Sequence, residues 1–518
     1  MTVSLTSALT LVTFLAVAVV WEHWARLRRM RGSKVPPGPP GLPLLGNLLD
    51  MPASEEWLAY HAWSHKYKSN IIQLNVLGTS IVVLNDLESV RELMENRSSI
   101  YSGRPHLVML RELMGLDKSM VFQDNGDFWR ESRKAFHQEF KPAVISNYYP
   151  VQTKAVEDLL RRLLASPDRW LDHLKHTTAA ETLDTIYGIS ITPENDPYVE
   201  VIEVALEGIV AAMAPGTFLV ETMPLLKYVP AWVPGAGFQR KAKLWKENYA
   251  RSSLATYEGF KKSLAEDPTR ISYCSQRFSL LDPDEDNTEQ EMMIRENAGS
   301  VYAAAVETTH GVLSSFILAM VMHPEAQAKA QAEIDDVIGP ERVLAYGDED
   351  SLPYLTAIVR ESLRWHEVTP IGVPHTLAVD DHYNGYFLPA GSVIIPNTWA
   401  ILHDENTYPD PFLFKPERFL KDGKLDPNVM DPAEAAFGYG RRICPGQHHA
   451  IATIWLAMGS MLASFNIEKA IGPDGRPIIP SGRYTTTITS HVEPFKCAIT
   501  PRSERVKEMI LSSDNEAI

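Results

Sequence analysis

The chain has 518 residues, 45% of them hydrophobic and 22% charged, which are globular values that exclude wholesale disorder and fibrous repeats. Acidic residues outnumber basic ones by 65 to 49, and the resulting charge of -16 argues against a nucleic-acid-binding protein, whose footprint is basic. Three cysteines, Cys274, Cys444 and Cys497, are too few for a disulfide scaffold or a four-cysteine zinc site.

No residue from Met1 to Val20 is charged. As a helix, about twenty residues cover roughly 30 Å, one hydrocarbon core. A cleaved signal peptide is the alternative, and Ala16-Val17-Ala18 has the small residues of a cleavage site. A signal peptide, however, carries its positive charges ahead of the apolar run. Here Arg26, Arg28, Arg29, Arg31 and Lys34 follow it. The expected organisation is a transmembrane signal anchor over 1–21, a basic and Pro-rich linker over 22–50, and one globular unit over 51–518 facing the cytoplasm. The linker run Pro36 to Gly41 is proline-dense and predicts a stiff, extended spacer.

Beyond the linker the pattern is mainly helical with a minor sheet. Helix formers recur at helical spacing over 157–164 and 325–334, and the stretch 296–320 is long and apolar. Strand-like pieces occur at 71–75, 80–84 and 392–395, flanked by turn residues. A helix starting at Pro353, capped by Asp350 or Ser351, carries Glu361 and Arg364 on one face. In isolation such a pair is a surface salt bridge of little worth.

The most informative stretch runs from Phe437 to Gly446, with glycines at 438, 440 and 446 around Cys444. These glycines allow positive φ or a close backbone approach to something flat. The apolar helix predicted over 447–462 places Cys444 just before a helix N-terminus, where free amides favour the thiolate. A buried structural cysteine, or a zinc ligand acting with His448 or His449, are the alternatives. Upstream, Glu307 with Thr308 and Thr309 sits inside the long apolar helix, where a carboxylate is costly unless paired, hydrated or functional.

Taken in order, Trp129-x-x-x-Arg133, the run Ala304 to Thr309, Glu361-x-x-Arg364, Pro416-Glu-Arg-Phe419 and the Cys444 loop resemble the cytochrome P450 (haem-thiolate monooxygenase) superfamily. The layout looks most like fungal microsomal members of secondary metabolism, with Tyr101-Ser-Gly-Arg-Pro105 and Trp399 to Asp404 adding to the likeness. The resemblance implies a mainly α fold with a minor β part, the P450 fold, and makes 51–518 the haem-thiolate domain. It makes Cys444 the axial ligand of a haem b, with Gly446 and the sulfur-packing Phe437 beside it. Trp129, Arg133, His375 and Arg442 become contacts of the haem carboxylates, plain core packing being the alternative for Trp129. Glu361, Arg364 and Arg418 become a structural triad.

On the oxygen side, Glu307 and Thr308 match the acid–alcohol pair that organises proton delivery. The alternative for Thr308 is a hydroxyl bonded back to its own helix. Ala305 stands where the family usually has glycine. The chain carries no nucleotide-binding fingerprint, so electrons come from a partner. The resemblance implies NADPH–cytochrome P450 reductase, with cytochrome b5 as a second donor, at the endoplasmic reticulum membrane. Arg130, Lys134 and Arg441 are candidates for a basic docking face, an ordinary solvated face being the alternative.

The implied reaction inserts one atom of O2 into a lipophilic small molecule, such as a terpenoid or indole-type metabolite. Its pocket is expected from 107–116, Tyr302, Val306, 369–373 and 487–490. The apolar, proline-broken segment 208–232 is expected at the access channel or the bilayer. A haem-thiolate isomerase or dehydratase, or a non-catalytic haem sensor, would have no need of the Glu307–Thr308 pair.

Overall fold

The computed structural model describes residue 30 and residues 32–213, 216–339, 342–486 and 489–512. The predicted anchor over 1–21 and the arginines at 26, 28, 29 and 31 lie outside them, as do Thr487 and Ile488. The chain divides into two compact units: residues up to Gly103 together with Pro374–Pro396, and Arg104–Val373 together with Asn397 onward.

The first unit holds helix α1 (Glu56–Tyr67) and a four-stranded sheet. Its strands are β1 (Ile71–Val76), β2 (Thr79–Leu84), β3 (His375–Thr376) and β6 (Val393–Pro396), in the order β1-β2-β6-β3. A separate antiparallel pair, β4 (Asp381–Tyr383) and β5 (Tyr386–Leu388), completes it. The three strands expected from sequence are present within a residue of their predicted ends. β1 and β2 turn on Leu77 (φ 50°) and Gly78 (φ 91°), a two-residue hairpin needing left-handed backbone at both positions. Ile71, Ile72, Leu74, Val82, Val83 and Leu84 are all buried, which is why these strands read as continuous apolar runs rather than alternating ones. β2 pairs in parallel with β6, Ile81 opposite Val393 and Val83 opposite Ile395.

The Pro-rich stretch is laid along this sheet and is not free-standing. The Pro37 carbonyl accepts from the Gln73 amide at 3.0 Å, and the Leu45 carbonyl from the Leu77 amide at 3.3 Å. Lys34 bonds to Gly385 in the β4–β5 turn and to Phe387 on β5.

The second unit is helical. Its main helices are α2 (Asp127–Phe140), α3 (Tyr149–Ala165), α4 (Trp170–Tyr187), α5 (Pro197–Met213), α6 (Gly237–Glu266), α7 (Tyr273–Phe278), α8 (Thr288–Met322), α9 (Pro324–Val337), α10 (Pro353–Trp365) and α11 (Gln447–Ser464). Prolines stand in the first turns of α3, α9 and α10, where a missing N–H costs nothing. An antiparallel pair, β7 (Phe465–Lys469) and β8 (Cys497–Pro501), follows α11.

The cap expected for α10 from Asp350 or Ser351 is not used. Leu352 occupies the cap position, and Glu333 of α9 instead accepts from the Tyr354 and Leu355 amides at 2.8 and 2.9 Å. A distant carboxylate thus meets the free N–H groups that a local side chain was expected to meet.

α8 runs 35 residues, longer at both ends than its apolar stretch predicts. By length and composition it could cross a membrane, but 67% of its most apolar window is buried inside the protein. It is a core helix, packed on α4, α10 and α11, with Leu313, Phe316, Ile317 and Met320 fully enclosed.

Candidate functional site

The site is built on the loop leading into α11. Gly438 (φ 78°) and Gly440 (φ 58°) take the left-handed backbone that bends the loop, as expected. Gly446 does not; at φ -97° it is the N-cap residue of α11. The Cys444 amide donates to the Phe437 carbonyl at 2.7 Å, closing the loop on itself. Phe437 packs against the core around α8, α10 and α11.

Sequence reasoning expected the helix terminus to favour the Cys444 thiolate. Burial dominates instead and pushes the thiol pKa up, while the Gly446 N–H on the sulfur and the Arg133 charge pull it down. Ligation to a cation is the remaining force that would deprotonate it. The zinc alternative fails on geometry: His448 meets Gln447 at 3.2 Å, and His449 faces Glu181 at 3.0 Å. Among the described residues no group of three or more His, Cys, Asp or Glu is placed to hold a metal ion. Cys274 is fully buried, and burial raises the Cys497 thiol to about 12, so both stay protonated.

Three guanidinium groups gather beside this loop. Arg442 lies over the Trp129 ring, 4.0 Å from its centroid, and reaches Asn125 Oδ1 at 3.2 Å. Trp129 is itself buried, so its packing and its cation–π role coincide rather than compete. Arg133 donates to the Ile443 carbonyl. Arg104, within the Tyr101–Pro105 run, donates to the Val121 and Val373 carbonyls at 3.1 and 2.7 Å. Burial first, then repulsion from Arg442 and Arg133, lowers Arg104 to about 9; burial first lowers Arg442 to about 10. Like charges gathered in this way favour an anion beside them. Arg104 and Cys444 are only half-buried by surface area, yet enclosed deeply enough to shift. A thiol with three cations beside it suits a dianionic prosthetic group with a metal centre.

His375 belongs to the first unit. It is buried on β3, and its Nδ1 donates to the Tyr101 carbonyl at 2.8 Å.

On α8, Thr308 Oγ1 donates to the Ala304 carbonyl at 2.7 Å, the bonded-back arrangement. Its lone pairs remain available as acceptors. The helix is continuous through Ala305. Glu307 is paired with His491, Oε2 to Nε2 at 3.3 Å, and this contact holds the carboxyl below its usual range. Nothing in the sequence marks His491, which lies in an irregular stretch far from Glu307 along the chain. Of the expected pocket residues, Tyr302 and Val306 are buried in the core beside α4 and α5, and Ser490 is buried and bonded to His366. Val108 and Met109 donate their amides to the Glu221 carboxylate, 2.8 Å each.

The structural triad is assembled. Arg364 forks onto Glu361 at 2.8 and 2.9 Å, and Arg418 reaches the same carboxylate at 3.1 Å. Glu361 and Arg364 are wholly buried, so this is not the surface pair that isolated spacing suggests. Of the docking candidates, Arg130 and Lys134 pair with Asp127 and Glu131 of their own helix, which offsets their charge; Arg441 is exposed.

The chain matches the family model for Cytochrome P450 over residues 36–491. It is 44% identical to tryptamine 4-monooxygenase of Psilocybe cyanescens over 90% of this chain and 93% of that protein. It is also 44% identical to cytochrome P450 monooxygenase 98 of Postia placenta, over 91% of each. Cytochrome P450 monooxygenase COX2 of Coprinopsis cinerea is 39% identical over 90% and 89%. A cysteine loop beneath three gathered arginines, a buried Glu-Arg-Arg triad and this likeness agree: the chain is a monooxygenase of the cytochrome P450 family.

Proposed function

We propose that the protein binds haem b through Cys444 and inserts one oxygen atom into a lipophilic secondary metabolite, with electrons from NADPH–cytochrome P450 reductase and cytochrome b5 as a second donor. The observation that carries this reading is the buried cluster of Arg104, Arg133 and Arg442 beside a loop-held cysteine. The haem, when bound, supplies the redox chemistry that activates dioxygen. Arg104, Arg133 and Arg442 neutralise its carboxylates, and the Trp129 ring holds Arg442 in position. The Gly446 N–H and Arg133 stabilise the negative sulfur of Cys444.

Glu307 and Thr308 handle protons. In the resting site Thr308 Oγ1 donates to its own helix, so it accepts from the oxygen side at once. To donate, it rotates away from Ala304. Thr308→Ala is expected to retain haem and the thiolate spectrum while product formation falls about 10²-fold, with electrons diverted to hydrogen peroxide. Product yield per NADPH equal to the parent's would remove Thr308 from the relay.

Among lipophilic substrates, an indole-type amine is the first to test, because a relative 44% identical is named for tryptamine. The haem-loaded protein, reconstituted with reductase, is incubated with tryptamine and with a terpenoid panel, and products are read by mass spectrometry. A hydroxylated indole supports this class; oxidation of terpenoids alone overturns it.

The endoplasmic reticulum membrane is the proposed location. Support comes from the uncharged N-terminal run and from the chain between α5 and α6, which exposes Leu219, Met223, Leu225, Tyr228 and Trp232, with Leu225 at 80% and Trp232 at 81%. Such a patch suits a lipid interface. The double change Leu225→Glu with Trp232→Glu, made in a chain lacking residues 1–29, is expected to cut flotation with lipid vesicles at least severalfold. Undiminished flotation would mean the patch does not bind lipid.

A further inference from the structure

His491 has no part in any motif of the chain, yet the second unit is built to hold it against Glu307. Its amide donates to Thr485 Oγ1 at 3.0 Å, and its carbonyl accepts from the Thr485 amide at 2.7 Å. The neighbouring Ser490 amide donates to the Val368 carbonyl at 2.7 Å, which ties the segment to the chain beyond α10. The ring then sits over α8 where Gly311 leaves room. A Cβ on Gly311 would come within 3.2 Å of His491 Nδ1 and 2.8 Å of Val368. Placed so, His491 Nε2 lies 3.3 Å from Glu307 Oε2 and 3.1 Å from Thr489 Oγ1. Its Nδ1 is buried and makes no hydrogen bond among the described residues.

A second imidazole stands beside it. His310, one turn from Glu307, has its ring centroid 5.8 Å from that of His491. Burial first, then the His491 charge, lowers His310 to about 4, so it is neutral at physiological pH. The other titratable groups facing this cluster are Lys175 on α4, which pairs with Glu203 at 2.7 Å, His366 after α10, and Tyr302 on α8. None of them is placed on Glu307 by a hydrogen bond; His491 is.

We propose that His491 is the positioning residue of the Glu307–Thr308 proton relay, holding the Glu307 carboxylate and returning to it the protons that each turnover removes. This rests on the relay reading of Glu307 and Thr308 given above. In the transfer, the imidazolium gives its Nε2 proton to Glu307 Oε2. The N–H bond breaks, an O–H bond forms, and neutral imidazole remains with its proton on Nδ1. A proton taken up from bulk solvent as hydronium, which leaves water, then restores the Nε2 proton, and no electron moves. The side chains of both residues keep contact with solvent, 17% for His491 and 38% for Glu307, so that proton has a source. A glutamate relay fed through a histidine delivers protons only while the histidine is recharged from solvent.

The test uses the full-length, haem-loaded protein and its Glu307→Gln, His491→Ala and His491→Gln variants. Carboxylate infrared difference spectra taken against pH give the Glu307 midpoint, with the band assigned by its loss in Glu307→Gln. In His491→Ala the midpoint is expected to rise measurably, because the contact that lowers it is gone. Hydrogen peroxide released per NADPH, measured with reductase and needing no known substrate, is expected to rise severalfold in His491→Ala. In His491→Gln, which keeps a donor but cannot titrate, the infrared midpoint returns toward the parent's while the pH dependence of peroxide release is flattened. A midpoint and a peroxide ratio both unchanged in His491→Ala overturn the proposal. If Glu307→Gln itself leaves the peroxide ratio unchanged, the relay reading falls first; if Glu307→Gln raises it and His491→Ala does not, only the role of His491 falls.

Discussion

Glu361→Ala is expected to be the most damaging single change in the molecule outside its cysteine loop. The carboxylate accepts from Arg364, Arg418 and the Lys415 amide, with no solvent to replace it. Removing it leaves the Arg364 guanidinium wholly buried beside Arg418 with no counter-charge. Breaking a buried pair in this way costs about 3–5 kcal/mol, against a total stability of about 5–15 kcal/mol. Arg364 also donates to the Leu402 and Leu413 carbonyls, so its disturbance spreads to two loops that α10 holds. The expected result is little folded protein, and in whatever folds a large drop in the thermal midpoint together with poor haem retention. Thermal unfolding within about 1 kcal/mol of the parent would show that the triad does not hold this core together.

Cys444→Ser should separate folding from chemistry. The bond that closes the loop uses the residue-444 amide and the Phe437 carbonyl, so serine keeps it. The hydroxyl, unlike a thiol, does not ionise near neutral pH and is a poor anionic ligand. The variant is expected to fold with a thermal midpoint close to the haem-free parent. Its reduced carbon monoxide spectrum should lose the thiolate band, and turnover should fall at least about 10³-fold, some 4 kcal/mol on the barrier. A retained thiolate band would mean that another sulfur serves. The structure argues against that, since Cys274 is enclosed in the helical core and Cys497 lies on β8, both outside the loop that leads into α11.

The sequence made much of this site legible because its parts are local. The loop from Phe437 to Gly446 carries its bends in glycine positions, and two of the three take the expected left-handed backbone. Helices were readable where apolar spacing decides them, as in α3, α8 and α11, and the strands where β-branched runs are fully buried. What stayed hidden depends on pairing across long stretches of chain. Glu361 and Arg364 look like a surface pair until Arg418 and the loop carbonyls close around them. Glu333 caps α10 from another helix, which no local pattern near Pro353 could announce. Arg104 reads only as one residue of the Tyr101–Pro105 run, and its approach to Arg133 and Arg442 is what marks it as part of the site. His491 is the clearest case, because its partner Glu307 is brought to it by the fold alone. At Cys444 the Gly446 amide does favour the thiolate, as the helix terminus predicts, while burial opposes it.

The parallel pairing of β2 with β6 has a consequence for how the chain comes into being. The edge of β2 ends at Leu84, and its partner begins at Val393. At about 5–20 residues per second, the roughly 300 residues between them occupy the ribosome for some 15–60 s. Throughout that time Ile81 to Leu84 cannot meet their mates. An apolar hairpin with an open edge therefore waits through most of synthesis, and such an edge is where strands of other chains attach. Completion of this sheet reports that nearly four hundred residues have been made in the right order.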